Sequence, residues 1–194
     1  MRDPRATMPA AAWLRRHAPL IAQSSRVLDL AAGQGRNARF LAALGHDVVA
    51  VDRDADALVR ARRRSARGGA RARPRDAVVA ARRASVSTRS SSTTTCTGRR
   101  STRCSAALSD SGVLIYETFA AGNEAFGRPS NPAFPARRRQ LLERTRGRLA
   151  VVSYEEGRVD REGGSAVIQR LVGGRAALRE AVAASRARDA GAEW

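Results

Sequence analysis

Two acids and two glycines in the first third of the chain have the spacing of a site for a ribose-containing ligand. Gly33 and Gly35 are one residue apart, and because glycine has no Cβ, the chain there can turn sharply and approach a ligand closely. Asp29 lies just before this turn and Asp52 lies well beyond it. An acid about 20 residues past such a turn can accept hydrogen bonds from a ribose diol.

The segments around these four residues predict how they are brought together. Arg26–Leu30 is a short apolar segment typical of a strand buried on both faces of a parallel sheet. Asn37–Leu44 has the apolar spacing of a helix, and Gly45 stands where a glycine would end it. Val48–Val51 is the next buried strand, with Asp52 at its carboxyl end. We therefore expect an open α/β sheet with a ligand at the carboxyl edge of its strands.

Three interpretations of the ligand remain open at this point. Residues 33–38 match the dinucleotide pattern G-x-G-x-x-[GA], which is a weak signal when it stands alone. Asp29 lies inside the preceding strand, where an anionic pyrophosphate gains nothing from it. A cofactor with a cationic ammonium and sulfonium could use that acid, which favours S-adenosylmethionine over a dinucleotide such as NAD. The third interpretation is an α/β unit without a ligand.

The same residues resemble a known family. D-L-A-A-G-Q-G-R-N at 29–37, A-R-F-L-A at 38–42 and V-V-A-V-D at 48–52 are similar to the class I S-adenosylmethionine-dependent methyltransferases. The ending Gly35-Arg36-Asn37 resembles the tellurite-resistance-type, small-molecule branch. The resemblance resumes at Ser111, where SGVLIYETF looks like the fifth strand. It implies one domain over residues 1–194, with a doubly wound, mostly parallel Rossmann-like sheet and a C-terminal antiparallel hairpin.

The resemblance also implies where the ligands bind. Residues 29–35 would bind the methionine part of the cofactor and Asp52 its ribose. Ala31 departs from the pattern, since many members have glycine there. A soft acceptor requires no catalytic base, and no base and no metal site are predicted. The residues expected to contact the cofactor are Asp29, Ala31, Gly33, Gly35, Asn37, Asp52 and Arg53. Those expected on the acceptor side are Glu117, Phe119, Arg128 and Asn131; for Glu117, a solvated acid at a strand end is the alternative.

The net charge of +18 suggests a nucleic-acid-binding protein as the rival class. All basic residues apart from histidine are arginine, and they are unevenly distributed. Residues 59–105 contain 14 arginines and the single acid Asp76, a net charge of +13. The rest of the chain carries an ordinary +5. The charge is thus mostly a property of one segment, and we expect a small-molecule acceptor with nucleic acid as the alternative partner.

That arginine- and serine-rich segment, 59–105, lacks the apolar periodicity of the rest of the chain. Its composition indicates disorder or irregular structure, yet the predicted sheet needs its third and fourth strands here. Translated one base earlier, the codons for residues 87–105 can encode FDAVVVDNYLHRPAFDALL, which has a strand, a turn and the start of a helix. We therefore hypothesise that the segment is out of frame relative to a working ancestor, which would impair activity.

The remaining elements are predicted from local patterns. Ala10–Ile21 indicates a helix that covers the cofactor side, and Gln140–Thr145 indicates another. Leu149–Tyr154 and Ser165–Leu171 predict two strands, joined by a polar turn over Glu155–Gly164. No apolar stretch approaches the ~20 residues of a membrane span. We expect a monomer in the cytoplasm.

Overall fold

The computed structural model describes residues 8–52, 54, 56, 59, 71–74, 85–89, 108–127, 135–161, 164–175, 178 and 180. For residues 71–74 and 85–89 the description covers the backbone alone. Cys96, Cys104 and most of the arginine-rich segment lie outside the described residues.

The described strands form one seven-stranded sheet in the order β3-β2-β1-β4-β5-β7-β6. β1 to β5 are parallel to one another, and β7 runs antiparallel to both β5 and β6. This arrangement confirms the predicted fold class. The strands are β1 (Arg26–Leu30), β2 (Asp47–Asp52), β3 (Arg71–Pro74), β4 (Ser85–Arg89), β5 (Val113–Phe119), β6 (Ala150–Arg161) and β7 (Gly164–Gly174).

Two of these strands come from the arginine-rich segment. β3 pairs with β2 at one edge, and β4 lies at the centre of the sheet between β1 and β5. In the register, Asp29 of β1 is opposite Ser87, which is opposite Ile115 of β5. The topology thus places a strand where the predicted fold requires one. For the rest of that segment, irregular structure stays a prediction.

The core lies on both faces of the sheet. The first face packs against two helices, α1 (Ala12–His17) and α2 (Arg36–Ala43), and the second face packs against α3 (Gln140–Thr145). Residues of β5 alternate between them, with Val113 and Ile115 on the first face and Leu114 on the second. Burial on both faces explains the continuous apolar runs of residues 48–51 in β2 and 113–116 in β5.

The helices agree with the sequence, apart from the first. α2 begins one residue before its predicted start, and α3 has its predicted bounds. Ala10–Ile21 was predicted as one helix, but α1 ends at His17 and a 3₁₀ turn follows over Ala18–Leu20. Pro19 accounts for the change, because proline has no N–H and disfavours α geometry in the residue before it. No helix in the described part of the chain is long and apolar enough to cross a membrane.

The C-terminal hairpin differs from its prediction in length. Residues 155–161 were predicted as part of a turn, but they continue β6 to Arg161, and β7 begins at Gly164. Polar cross-strand contacts stabilise this extension, among them Arg158 Nη2 to Ser165 Oγ at 3.0 Å and Ser165 Oγ to Asp160 Oδ1 at 2.6 Å. The apolar pattern stops at Tyr154, so periodicity could not predict a strand beyond it.

Candidate cofactor and acceptor site

The turn after β1 depends on three residues with left-handed backbone. Ala31, Gly33 and Gly35 have φ values of 59°, 52° and 73°. Glycine adopts this conformation without a steric penalty, whereas for other residues it costs roughly 1–2 kcal/mol. The two glycines therefore stand where the turn needs them, and Ala31 carries the strain. Gly35 is also the N-cap of α2, so the turn leads directly into that helix.

Asp52 holds the turn against the end of β2. Its Oδ2 accepts a hydrogen bond from the Gly33 N–H at 2.7 Å, and its Oδ1 accepts one from the Asp54 N–H at 2.9 Å. The structure therefore brings together Gly33 and Asp52, as predicted. A Cβ built on Gly33 would meet no atom of the described residues within 4 Å, so the turn faces open space in that part of the structure.

Asp29 is a fully buried acid beneath this turn, with an exposed fraction of 0%. Neither of its carboxyl oxygens has a hydrogen-bond partner of standard geometry among the described residues. Burial raises the pKa of Asp29 to about 7, although the Ala38 backbone N–H and the Arg36 guanidinium each act to lower it. Ala38 is thus close enough to affect the carboxyl electrostatically without forming a good hydrogen bond.

A buried carboxyl without partners fits a cationic ligand. An unsatisfied buried polar group costs about 1–3 kcal/mol and more when it is charged, so a partner that arrives with a ligand would recover that energy. The ammonium and sulfonium of S-adenosylmethionine have the required charge, and the open space above Gly33 admits a ligand. The pyrophosphate of a dinucleotide has the wrong charge for this position.

Asn37 is buried, and its amide oxygen serves a contact within the protein. Asn37 Oδ1 accepts a hydrogen bond from the Ala11 N–H at 3.0 Å, and the neighbouring Arg36 donates to the Pro9 carbonyl at 3.3 Å. These contacts tie the segment before α1 to the start of α2. A cofactor contact for Asn37 stays a prediction, and its observed role is to position α1 beside the turn.

A row of charged residues crosses the first face of the sheet beside α1. Arg170 of β7 pairs in register with Glu117 of β5 and with Glu155 of β6. Its Nη2 lies 2.6 Å from Glu155 Oε2, and its Nη1 lies 3.7 Å from Glu117 Oε2. Trp13 of α1 covers the guanidinium, with 4.7 Å between Cζ and the ring centroid, and Arg16 reaches Glu155 at 3.4 Å.

This row changes the interpretation of Glu117. The Glu117 side chain is 9% exposed and lies beside a guanidinium, so it is not a solvated acid at a strand end. Glu117 lies on the same face of the sheet as Asp29. The register aligns Asp29 with Ile115, so Glu117 is two residues closer to the carboxyl edge of the sheet than Asp29. Sequence reasoning missed Arg170 and Glu155, because only the register of the longer hairpin aligns them with Glu117.

The other predicted site residues divide into two groups. Ala31 and Gly35 belong to the turn, and Phe119 ends β5, where its carbonyl accepts a hydrogen bond from the Ala136 N–H at 2.8 Å. Arg53, Arg128 and Asn131 lie outside the described residues, so their assigned roles remain predictions.

Comparison with known proteins gives one family match. Residues 27–100 match the family described as "Methyltransferase domain". The match begins in β1, includes the glycine turn and continues through most of the arginine-rich segment. No curated protein matches the chain.

Several solved structures share the fold. TehB from Haemophilus influenzae superposes with a TM-score of 0.65 at 17% identity, over 84% of this chain and 61% of that one. A TehB-like S-adenosylmethionine-dependent methyltransferase from Corynebacterium glutamicum gives 0.61 at 17% identity, over 88% of this chain and 91% of the other. Coclaurine N-methyltransferase, bound to N-methylheliamine and S-adenosylhomocysteine, gives 0.60 at 12% identity, over 84% of this chain and 68% of the other. The chain thus spans 61% of the TehB length.

The sheet order and the glycine turn define a Rossmann-like domain with a nucleotide-type site at its carboxyl edge. Residues 27–100 match a methyltransferase family, and the fold is similar to that of TehB and of a TehB-like S-adenosylmethionine-dependent methyltransferase.

Proposed function

We propose that this protein transfers the methyl group of S-adenosylmethionine to a small-molecule acceptor. The observation that carries the proposal is Asp29, a buried carboxyl with no hydrogen-bond partner among the described residues, beneath a glycine turn that faces open space. A dinucleotide is disfavoured by the same acid. Coclaurine N-methyltransferase, which has a similar fold, was solved bound to N-methylheliamine, which supports a small acceptor here.

Each residue of the turn has a defined part in this proposal. Asp29 would accept hydrogen bonds from the cofactor's ammonium, and the backbone of Gly33 and Gly35 would lie against its methionine part. Asp52 would exchange the Gly33 N–H for the ribose hydroxyls, or accept from both, since a carboxylate offers about four acceptor positions. S-adenosylmethionine supplies the electrophilic methyl group.

The protein's contribution to the reaction is alignment and the exclusion of water. Methyl transfer is an in-line displacement, so holding the acceptor atom in line with the methyl carbon removes much of the entropic barrier. Glu117 and Phe119 lie at the carboxyl end of β5, where we place the acceptor. Glu117, held beside Arg170, would orient a donor group of the acceptor.

Titration calorimetry with S-adenosylhomocysteine tests the cofactor site. The wild-type chain should bind in the micromolar range, and Asp29→Asn should weaken binding at least tenfold, since a charge-assisted hydrogen bond contributes about 1.5–3 kcal/mol. Asp47→Asn is the matched control, because Asp47 is an exposed aspartate at the start of β2. Equal affinities of the two variants would contradict the role of Asp29.

The nucleic-acid alternative predicts a different result. Binding to duplex DNA through the arginine-rich segment would weaken steeply with salt, because each counterion released from the DNA steepens the dependence of affinity on salt concentration. A chain that binds DNA in this manner and fails to bind S-adenosylhomocysteine would refute the methyltransferase proposal.

A further inference from the structure

A second site lies away from the glycine turn, beside the end of β5. It is a cavity of about 550 Å³ between the segment after β5, the residues before α3 and the middle of the β6–β7 hairpin. It is lined by Ala121, Arg138, Arg139, Tyr154, Glu156, Gly157 and Val167. Ala121 follows the carboxyl end of β5, so the cavity lies near the sheet edge that also carries the glycine turn.

Glu156 is a fixed part of the cavity wall. It accepts hydrogen bonds from the Tyr154 hydroxyl at 2.8 Å, from the Arg139 N–H at 3.2 Å and from Gln169 Nε2 at 3.3 Å. Gln169 is itself fully buried, and its Oε1 accepts the Leu141 N–H at 3.1 Å. These donors stabilise the Glu156 carboxylate within the protein, so its lone pairs are largely occupied.

The two arginines of the cavity carry its uncompensated charge. No carboxylate forms an ion pair with the Arg138 or Arg139 guanidinium within the described part of the chain. Both are close enough to Tyr154 to act to lower its pKa, although burial and Glu156 raise that pKa more strongly. Two guanidiniums against one carboxylate leave the lining with a net positive charge.

The backbone at Arg139 is strained in a way that favours a ligand site. Its φ of 57° is left-handed, which is costly for a residue with a long side chain. Such strain persists only where surrounding contacts enforce it, and it is common at ligand sites. Here the Arg139 N–H donates a hydrogen bond to Glu156. Glu156 therefore both lines the cavity and fixes the backbone at Arg139.

We propose that this cavity binds the anionic group of a small organic molecule, a carboxylate or a phosphate, through Arg138 and Arg139. The planar guanidinium matches the oxygens of both groups and can bind them with two parallel hydrogen bonds. The inference rests on the proposed function in one respect, namely that the bound anion is one end of the methyl acceptor whose reacting end we place at Glu117 and Phe119. The acceptor would then be an anionic small molecule.

The test uses benzoate and phenyl phosphate as probes, with benzamide as the neutral analogue. Each is titrated by calorimetry into the full chain saturated with S-adenosylhomocysteine, in about 150 mM salt to screen long-range attraction. We expect one of the two anions to bind at least tenfold more tightly than benzamide. The preferred anion distinguishes a carboxylate ligand from a phosphate ligand.

Two double variants separate the cavity from the general positive charge. Arg138→Gln with Arg139→Asn removes both guanidiniums, and asparagine tolerates the left-handed backbone. Arg146→Gln with Arg148→Gln removes the same charge from exposed residues outside the cavity lining. We expect anion binding to weaken at least tenfold in the first variant and less than twofold in the second.

Equal losses in both variants, or no preference of the wild type for either anion over benzamide, would overturn the cavity proposal. Titration with S-adenosylhomocysteine alone reports separately on the proposed function. A chain that binds benzoate through Arg138 and Arg139 but does not bind S-adenosylhomocysteine would refute the methyltransferase function and leave the anion site standing.

Discussion

Asp29 is the residue through which pH should control the stability of the empty protein. Burial raises its pKa from 3.8 to about 7, so the folded state holds this proton more tightly than the unfolded state. The contribution of Asp29 to the free energy of unfolding is therefore highest below about pH 4 and falls as the pH rises toward 7. Between about pH 5 and 7 the loss from this group is about 2 kcal/mol. Urea unfolding should show that Asp29→Asn removes this part of the slope; an unchanged slope would contradict the assignment.

The same titration should govern cofactor affinity. A cationic ammonium requires the carboxylate form of Asp29, and that form is scarce below the raised pKa of about 7. Between about pH 8 and 6 we expect the affinity for S-adenosylhomocysteine to fall roughly tenfold. Calorimetry in buffers of different ionisation enthalpy should detect the proton released on binding near pH 6. The Asp29→Asn variant serves as the control and should show neither effect.

Gly33 should be more important for binding than for folding. An alanine Cβ there would meet no atom within 4 Å, so Gly33→Ala adds only the left-handed strain of about 1–2 kcal/mol. The added methyl would occupy the space assigned to the cofactor, and affinity for S-adenosylhomocysteine should fall at least tenfold. Gly45→Ala, with φ of 87° and open space around it, matches the strain at a position away from the site. If both variants bind equally well, the cofactor does not approach Gly33.

At the scale of elements, Arg170 should hold the acceptor side of the sheet together. It lies between Glu117 and Glu155 and beneath Trp13 of α1. Arg170→Met removes the guanidinium that lies 3.7 Å from the buried Glu117 carboxylate, and removing one partner of a buried pair costs about 3–5 kcal/mol. Because Arg170 is partly exposed, we expect the free energy of unfolding to fall by about 2–3 kcal/mol.

Two further variants make the measurement specific. Adding Glu117→Gln to Arg170→Met should restore part of the loss, because the buried negative charge is then removed as well. Arg158→Met breaks the exposed Arg158–Asp160 pair and should cost less than about 1 kcal/mol. Equal destabilisation by Arg158→Met and Arg170→Met in urea would mean that the row does not stabilise the sheet.

The elements also show how far the sequence determines this site. β1, the glycine turn and β2 could be predicted, because strand burial, turn geometry and the acid at Asp52 are encoded within 30 consecutive residues. The charged row around Arg170 could not be predicted, because it depends on the register of the hairpin. The cavity lined by Arg138 could not be predicted either, because it depends on the left-handed backbone of Arg139. Local patterns do not encode contacts between side chains that are far apart in the sequence.

For the whole molecule, the central strand is the test of the frame hypothesis. β4 reads Ser-Val-Ser-Thr-Arg and pairs between β1 and β5, the most enclosed position in the sheet. Strands in the middle of a parallel sheet are normally near-continuous apolar runs, and the sequence of β4 departs from that pattern. A chain carrying the minus-one reading FDAVVVDNYLHRPAFDALL over residues 87–105 should melt at least several degrees higher and bind S-adenosylhomocysteine more tightly.

Sequencing the coding DNA provides the direct check, and a minus-one frame without an apolar strand would refute the hypothesis. A scrambled version of the same 19-residue replacement is the control, because higher stability in both chains would show that apolar content alone, rather than a restored strand, is responsible.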